Sequence, residues 1–485
     1  MGVSMLNLAL HLIAIIELVC VGMVLFAERK RPASSMAWVL VLIFLPVIGF
    51  LLYLVFGTGF RVNKRRRYAI KSLVDAAYTS LLCDRLAPGR EEHHARHPAN
   101  ARPLDPMRRA GDGSLTTDNA AEVFTDGSAC FSRMLEDIRR AKHHVHLLYF
   151  IFRCDGIGSE ILSCLTEKAR QGVEIRLMYD SLGSFFFVGR KLRELKQAGG
   201  QVLAFAPIFS SFSSSFQINY RNHRKITVVD GRVGYVGGMN VGDEYLGRHP
   251  RLRPWRDTTL RLTGSAVWFL QGRFLMDWSY CSDREPQAAL PLDKFFPTPA
   301  CNGGHLGVQI ASSGPDTDES PIKYGLLSLF YTARRTLYIQ TPYYAPDVSI
   351  LDALQAAARS GVDVRLMIPK LFDHWIVHKS TLGYARQMLA SGVRVFLYQG
   401  FLHAKTVVAD GAVATIGTSN LSIRSFTQNF EVNAFIHDAS FATAQEKLFL
   451  RDQENCREVT EEWFAARPWT VRAAYNVSRL LAPLI

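Results

Sequence analysis

His223-Arg224-Lys225-Ile226-Thr227-Val228-Val229-Asp230 and His403-Ala404-Lys405-Thr406-Val407-Val408-Ala409-Asp410 are two copies of one pattern, H-x-K-x-x-x-x-D. In an extended chain, residues two apart share a face, so each pair of His and Lys points the same way. A glycine-rich turn follows each copy and ends in Gly-x-x-Asn, at Gly237 to Asn240 and Gly417 to Asn420. Each Asn stands 17 positions beyond its His. One such copy is weak evidence, because a strand histidine is more often structural than catalytic. Two copies at matching places point to chemistry. A two-fold arrangement would bring both to one cleft at a domain interface, a common place for a site.

The surroundings of the two copies also repeat. Ala169-Arg170-Gln171-Gly172-Val173-Glu174-Ile175-Arg176-Leu177-Met178 matches Ala358-Arg359-Ser360-Gly361-Val362-Asp363-Val364-Arg365-Leu366-Met367 at an offset of 189. Val145-His146-Leu147-Leu148-Tyr149 parallels Leu337-Tyr338-Ile339-Gln340-Thr341. Each copy reads strand, helix, strand, which predicts an α/β sandwich in each half. The first domain is expected over 115–304 and the second over 305–485. Residues 88–114 are polar and punctuated by Pro88, Pro98, Pro103 and Pro106, so they read as a linker. His93, His94 and His97 there read as a solvated loop rather than a zinc site.

Two apolar runs open the chain, Val3 to Ala27 and Ser34 to Phe56, each long enough to cross a bilayer. Residues 1–58 are therefore expected to be two transmembrane helices, and 59–114 a basic juxtamembrane segment and linker. Arg61 and Lys64 to Arg67 outnumber the cations of the turn at Arg29 to Arg31, which places both termini in the cytoplasm. The net charge is +13; three cations and two anions precede Gly57, so +12 falls beyond it. That excess favours an anionic partner, phosphate or an acidic lipid surface among them. The 8 cysteines form no C-x-x-C pair, which argues against a disulfide framework and mildly favours a reducing compartment.

The paired motifs resemble those of the phospholipase D superfamily. The resemblance runs along the whole chain and narrows to the bacterial cardiolipin synthases. It is carried by Ile218 to Lys225 with Val236 to Gly247, and by Leu402 to Lys405 with Arg424-Ser425-Phe426 and Asn429 to Asn433. Ser312 to Asp316, Thr341-Pro342-Tyr343-Tyr344 and the amino-terminal apolar pair add to it. Ser422 departs from the Asp usual in that family.

The resemblance implies tandem phospholipase D-like domains behind a membrane hairpin in a bacterial inner membrane. It also implies phosphatidyl transfer between two phosphatidylglycerol molecules. His223, Lys225, Asp230, His403, Lys405 and Asp410 would form the catalytic motifs, with His223 as nucleophile and His403 as acid and base, although the sequence allows the reverse. Lys225, Lys405, Asn240 and Asn420 would neutralise and hydrogen-bond the phosphate oxygens, the charge coming from the lysines. Glu431 matches a family carboxylate that orients an imidazole, and Asp257 is its counterpart in the first half. Asp230 and Asp410 read as structural, supporting their turns through backbone hydrogen bonds. The lysines supply the positive charge, so no metal or other cofactor is expected. The partners expected are phosphatidylglycerol and anionic membrane lipids, not nucleic acid. The aromatic run Pro207 to Phe216 and the segment Val471 to Ile485 are open between membrane contact and packing on the protein. A hydrolytic phospholipase D, another phosphatidyltransferase such as a phosphatidylserine synthase, a nuclease and a non-catalytic membrane scaffold remain alternatives.

Overall fold

The computed structural model describes residues 113–185, 189–205, 220–282, 292–298, 304–316 and 319–481, with parts of the first 53. Several expectations fall outside them: most of the first apolar run and part of the second, Arg61 and Lys64 to Arg67, the histidines of 88–114, and Pro207 to Phe216.

The first half supplies β1 (Thr116–Phe124), β2 (His144–Tyr149), β3 (Glu174–Asp180), β4 (Gln201–Phe205), β5 (Ile226–Val229), β6 (Val233–Gly237), β7 (Trp255–Arg256) and β8 (Thr259–Thr263). The second supplies β9 (Leu306–Ser313), β10 (Thr336–Gln340), β11 (Tyr344–Ala345), β12 (Asp363–Pro369), β13 (Arg394–Tyr398), β14 (Phe401–Leu402), β15 (Thr406–Ala409), β16 (Val413–Gly417), β17 (Leu421–Ser422), β18 (Glu431–His437) and β19 (Cys456–Val459). Fifteen of these strands form one sheet in the order β19-β13-β12-β10-β15-β16-β18-β9-β1-β8-β6-β5-β2-β3-β4. Read outward from its centre, β9-β18-β16-β15-β10-β12-β13 mirrors β1-β8-β6-β5-β2-β3-β4. The duplication seen in the sequence is thus a pseudo-two-fold fold, with the antiparallel β1–β9 pair at its seam.

Helices cover the outer faces: α1 (Gly127–Arg140), α2 (Gly156–Arg170) and α3 (Arg190–Gln197) on the first half, with α4 (Ala266–Cys281) on the inner side. The second half carries α5 (Pro321–Thr332), α6 (Val348–Arg359), α7 (Trp375–Leu389), α8 (Ala439–Glu454) and α9 (Trp469–Leu481). Short acidic side chains start many of them. Asp126, Asp155, Asp347 and Asp438 each accept from first-turn N–H groups of α1, α2, α6 and α8. Each half has an outer core beneath its helices. A third core is shared: Ile226, Val236 and Leu260 of the first half pack in one cluster with Val408, Ile416 and Val432 of the second. The two halves therefore meet through buried apolar faces.

The turns after β5 and β15 explain the last residue of each motif. Asp230 and Gly231 have φ of 54° and 64°, and Asp410 and Gly411 have 56° and 61°. Two successive positive φ values suit a tight turn, where Asp-Gly is favoured. The turns are closed by Arg232 N–H donating to Val229 O at 3.0 Å and Ala412 N–H to Ala409 O at 2.9 Å, within three-residue loops. Asp230 accepts from the backbone N–H groups of Lys142, His143 and His144 at 2.8–2.9 Å. Asp410 accepts from those of Arg334, Arg335 and Thr336 at 2.7–2.9 Å. Each aspartate thus locks its hairpin to the neighbouring strand, β2 or β10.

Near the amino terminus, residues Pro32–Phe44 are helical. Trp38, Leu42 and Tyr53 are buried together against Val21 of the first apolar run, while Met36, Leu40, Ile43 and Phe44 are exposed. Among the described residues no helix is long and apolar enough to cross a membrane. At the other terminus α9 packs on α7: Arg479 donates to Gln387 at 2.7 Å and lies over the Tyr384 ring.

Candidate active site

His223 and Lys225 sit in the extended segment just ahead of β5, and His403 and Lys405 just ahead of β15. Each segment is bound by backbone to the other half. The His223 N–H donates to Phe430 O at 2.9 Å, and Phe430 N–H returns to Arg221 O at 2.9 Å. Symmetrically, His403 N–H donates to Arg256 O at 2.7 Å, and β14 pairs in parallel with β7. The residues that follow these bridges are Glu431 and Asp257.

The carboxylates are consequently exchanged between halves. Glu431 accepts from Nδ1 of His223 at 2.9 Å, and Asp257 from Nδ1 of His403 at 2.6 Å. All four groups are buried, with Glu431 at 0% and Asp257 at 1% exposure. A carboxylate on Nδ1 fixes the tautomer and leaves Nε2 for chemistry. Lys225 Nζ donates to His223 O at 2.7 Å, and Lys405 Nζ to His403 O while lying 2.9 Å from His403 Nδ1.

The four ionisable motif groups share one electrostatic site. Burial first, then Lys225 and Lys405, push His223 down to about 4 despite Glu431. Burial and Lys405 lower His403 against the pull of Asp257. Burial and the neighbouring Lys405 lower Lys225 well below the usual ammonium range, and burial brings Lys405 to about 8. For Glu431, burial works upward, but His223, Lys225 and Thr418 outweigh it and hold the carboxyl low. Two buried ammonium groups that repel each other form a site that an anion relieves.

Asn240 and Asn420 are also buried, but differ. Asn240 Oδ1 accepts from Ile151 N–H at 3.1 Å and its amide nitrogen donates to the Tyr245 hydroxyl. Asn420 Oδ1 has no partner among the described residues. Asp230 and Asp410, which belong to the motifs, lie at the far ends of β5 and β15 and act on backbone N–H groups; they do not join the imidazole cluster. Ser422 caps the turn that follows it, accepting from Ser425 N–H at 3.3 Å, as an Asp would.

Several neighbours escaped the sequence reading. Thr418 donates to Glu431 Oε2 at 2.6 Å, the same oxygen that holds His223. At the matching place in the first half stands Gly238, where a Cβ would collide with Asp257 Oδ1. Arg224, the variable residue of the first motif, faces inward and pairs with Asp277 at 2.7 Å. Phe150 lies edge-on to His223, with ring centres 5.2 Å apart, and Tyr245 near His403 at 5.9 Å. Arg221 is buried and lies 3.6 Å from Asp180. The spacing of a Ser or Thr 15 residues after the motif His was the one available signal for Thr418.

The cardiolipin synthase, PLD-like domain family matches residues 134–249 and 326–453, and the phospholipase D-nuclease N-terminal family matches 9–57. The major cardiolipin synthase ClsA of Bacillus subtilis (strain 168) is 40% identical over 99% of this chain and 100% of its own. A cardiolipin synthase of Oceanobacillus iheyensis is 39% identical over 100% of both chains. Among solved structures, the phosphatidylserine synthase of Haemophilus influenzae Rd KW20 has the same fold. Its TM-score is 0.59 at 13% identity, over 79% of this chain and 100% of that one.

Proposed function

The chain belongs to the cardiolipin synthase family, phosphatidyltransferases of the phospholipase D superfamily, and from that premise we propose its reaction and the role of each site residue. One phosphatidylglycerol donates its phosphatidyl group, a second accepts it, and glycerol leaves. His223 is the nucleophile. Its Nδ1 proton rests on Glu431, so the Nε2 lone pair attacks phosphorus and forms a phosphohistidine. His403, held by Asp257, protonates the glycerol oxygen as the P–O bond breaks. It then takes the proton from the incoming hydroxyl as the second diester forms and the P–N bond breaks. The two diesters are of like kind, so no nucleotide is consumed.

Lys225 and Lys405 neutralise the phosphate oxygens. Glu431 and Asp257 offset part of the repulsion between the lysines, and the anionic phosphodiester adds to that, favouring the charged form of both. The amides of Asn240 and Asn420 donate to the same oxygens. Asp230 and Asp410 hold the motif hairpins in place. The observation that carries this reading is the crossed pair of imidazole–carboxylate contacts, which gives two oriented, equally buried histidines beside the two motif lysines.

The protein is membrane-associated, as its family implies. We place residues 1–58 as a transmembrane hairpin with both termini cytoplasmic and the tandem domains, 115–304 and 305–485, on that side. The burial of Val21 with Trp38, Leu42 and Tyr53 supports a paired arrangement of the two runs.

Purified protein in phosphatidylglycerol micelles is expected to make cardiolipin and free glycerol without nucleotide. Phosphatidic acid alone would identify a hydrolase, and cleavage of DNA a nuclease. Labelled phosphatidyl trapped on His223, and lost in His223→Ala, tests the nucleophile; label on His403 reverses the two roles.

A further inference from the structure

The mouth of the site has two apolar lips at equivalent places in the two halves. The loop after β3 exposes Leu182 and Phe185. The loop after β12, the matching strand, exposes Phe372 and runs into Trp375 and Ile376 at the start of α7. Both loops are fastened to the catalytic segments. In the first, Ser184 Oγ donates to Phe150 O at 2.9 Å, and the Phe150 ring lies against His223. In the second, Leu371 N–H donates to Gly400 O at 3.2 Å, three residues before His403, and Asp373 accepts from Tyr343.

The second lip is wider than a loop. α9 runs parallel to α7, since Tyr475 lies by Lys379 and Arg479 by Gln387. The first residues of the two helices, Trp375 and Trp469, therefore sit at the same end, at 53% and 73% exposure. Cations border them: Lys379 lies over the Trp375 ring at 6.0 Å, Arg467 is half-buried and Arg472 is exposed. Of the nearby acids, Asp373 is bound to Tyr343 and Glu461 pairs with Arg386, while Glu462 is exposed. Large exposed aromatics edged by Lys and Arg suit the boundary between headgroups and acyl chains, and the cations match anionic headgroups.

We propose that these lips seat the catalytic mouth on the surface of an anionic phospholipid bilayer, with Phe372, Trp375, Ile376 and Trp469 entering the interface. The inference rests on the phosphatidyl-transfer reading, which requires that the acyl chains stay in the bilayer while the phosphate reaches the histidines. The lips let a lipid rise by its headgroup alone. Arrival at the membrane is the task of the amino-terminal segment; the lips set the orientation and depth of the mouth.

The test compares the full chain with Phe372→Ser/Trp375→Ser/Ile376→Ser on two substrates: phosphatidylglycerol vesicles and monodisperse short-chain phosphatidylglycerol. The expected result is a loss of about tenfold or more in kcat/KM on vesicles and little change on the dispersed lipid. Equal losses on both would mean a structural role and overturn the proposal, as would no loss on vesicles. Quenching of tryptophan fluorescence by brominated phosphatidylglycerol gives a readout free of turnover. Trp375→Phe and Trp469→Phe should each remove part of the quenching, and unchanged quenching in both overturns the proposal. Wild-type protein inactive on both lipids but quenched normally would instead sink the transferase reading alone.

Discussion

Glu431, in the second half of the chain, holds Nδ1 of His223, in the first, at 2.9 Å. The reciprocal contact joins Asp257 to His403 at 2.6 Å. Neither histidine takes its carboxylate from its own half, so each half completes the other's imidazole–carboxylate pair.

Glu431→Gln and Asp257→Asn should each reduce kcat by about 10²–10⁴, by analogy with the loss seen when a carboxylate that sets a catalytic imidazole's tautomer becomes an amide. Because neither carboxylate is assigned a contact with the lipid, KM should move little. Initial rates of cardiolipin formation measure both. A change in kcat within twofold would show that the pairs are only structural.

The two pairs are not alike, because Thr418 braces Glu431 whereas Gly238 leaves space for Asp257. Thr418→Ala should lower kcat by about tenfold, in line with loss of a buried hydrogen bond to a charged group, and Thr418→Ser should retain most activity. Gly238→Ala should cost more, since the new methyl collides with the carboxylate that orients His403. Rates for all three variants check the order, and an active Gly238→Ala enzyme would refute it.

Asp230→Ala and Asp410→Ala each abandon three backbone N–H groups and a left-handed turn. A loss of about 2–4 kcal/mol of stability is expected, with Asn substitutions milder because Asn tolerates that conformation. Melting curves and kcat per folded molecule separate the two effects. A thousandfold drop in kcat with an unchanged melting temperature would place these aspartates in the chemistry.

Stability should fall on acidification because of a buried pair outside the site. Burial, and Arg176 in addition, push His146 down to about 4 despite Glu174, and burial and His146 push His144 lower still. Unfolded histidine titrates near ~6.5, so the unfolded chain takes up protons first as pH drops. The stabilisation is complete above ~6.5 and is lost progressively as pH falls towards 4. Glu174, held to about 2 by His146, Arg176 and Lys294 against the opposing effect of burial, adds a loss of the same sign below about pH 4.5. In His146→Asn the dependence of melting temperature on pH between 6.5 and 4 should flatten, with His144 and the other buried histidines held low, His223, His378 and His403, leaving a residual slope. An unchanged slope would count against this account.

Much of this was legible in the sequence because it is local or repeated. The motif spacing put His and Lys together, the 189-residue offset announced two like halves, and the place of Asp230 and Asp410 at the ends of the motif strands marked them as supports of their turns. What stayed hidden depends on contacts between distant segments. The family resemblance marked Glu431 and Asp257 as orienting carboxylates, but nothing near His223 indicates that Phe430 will pair with Asn222 and so bring Glu431 to this ring from the other half. Thr418 gained meaning only once that carboxylate had arrived. Arg224 fills a variable position of the motif, to which the sequence assigns no role; the alternation that turns His223 and Lys225 to the site turns it into the interior, where it pairs with Asp277.

The seam between β1 and β9 has a consequence for biosynthesis. A ribosome finishes the first half well before the second, and until then His223 has no partner to choose its tautomer. On the proposed roles, a half-made protein should therefore be chemically silent. Phosphotransfer should begin only when closure of the seam completes the molecule, which would make assembly itself the safety catch.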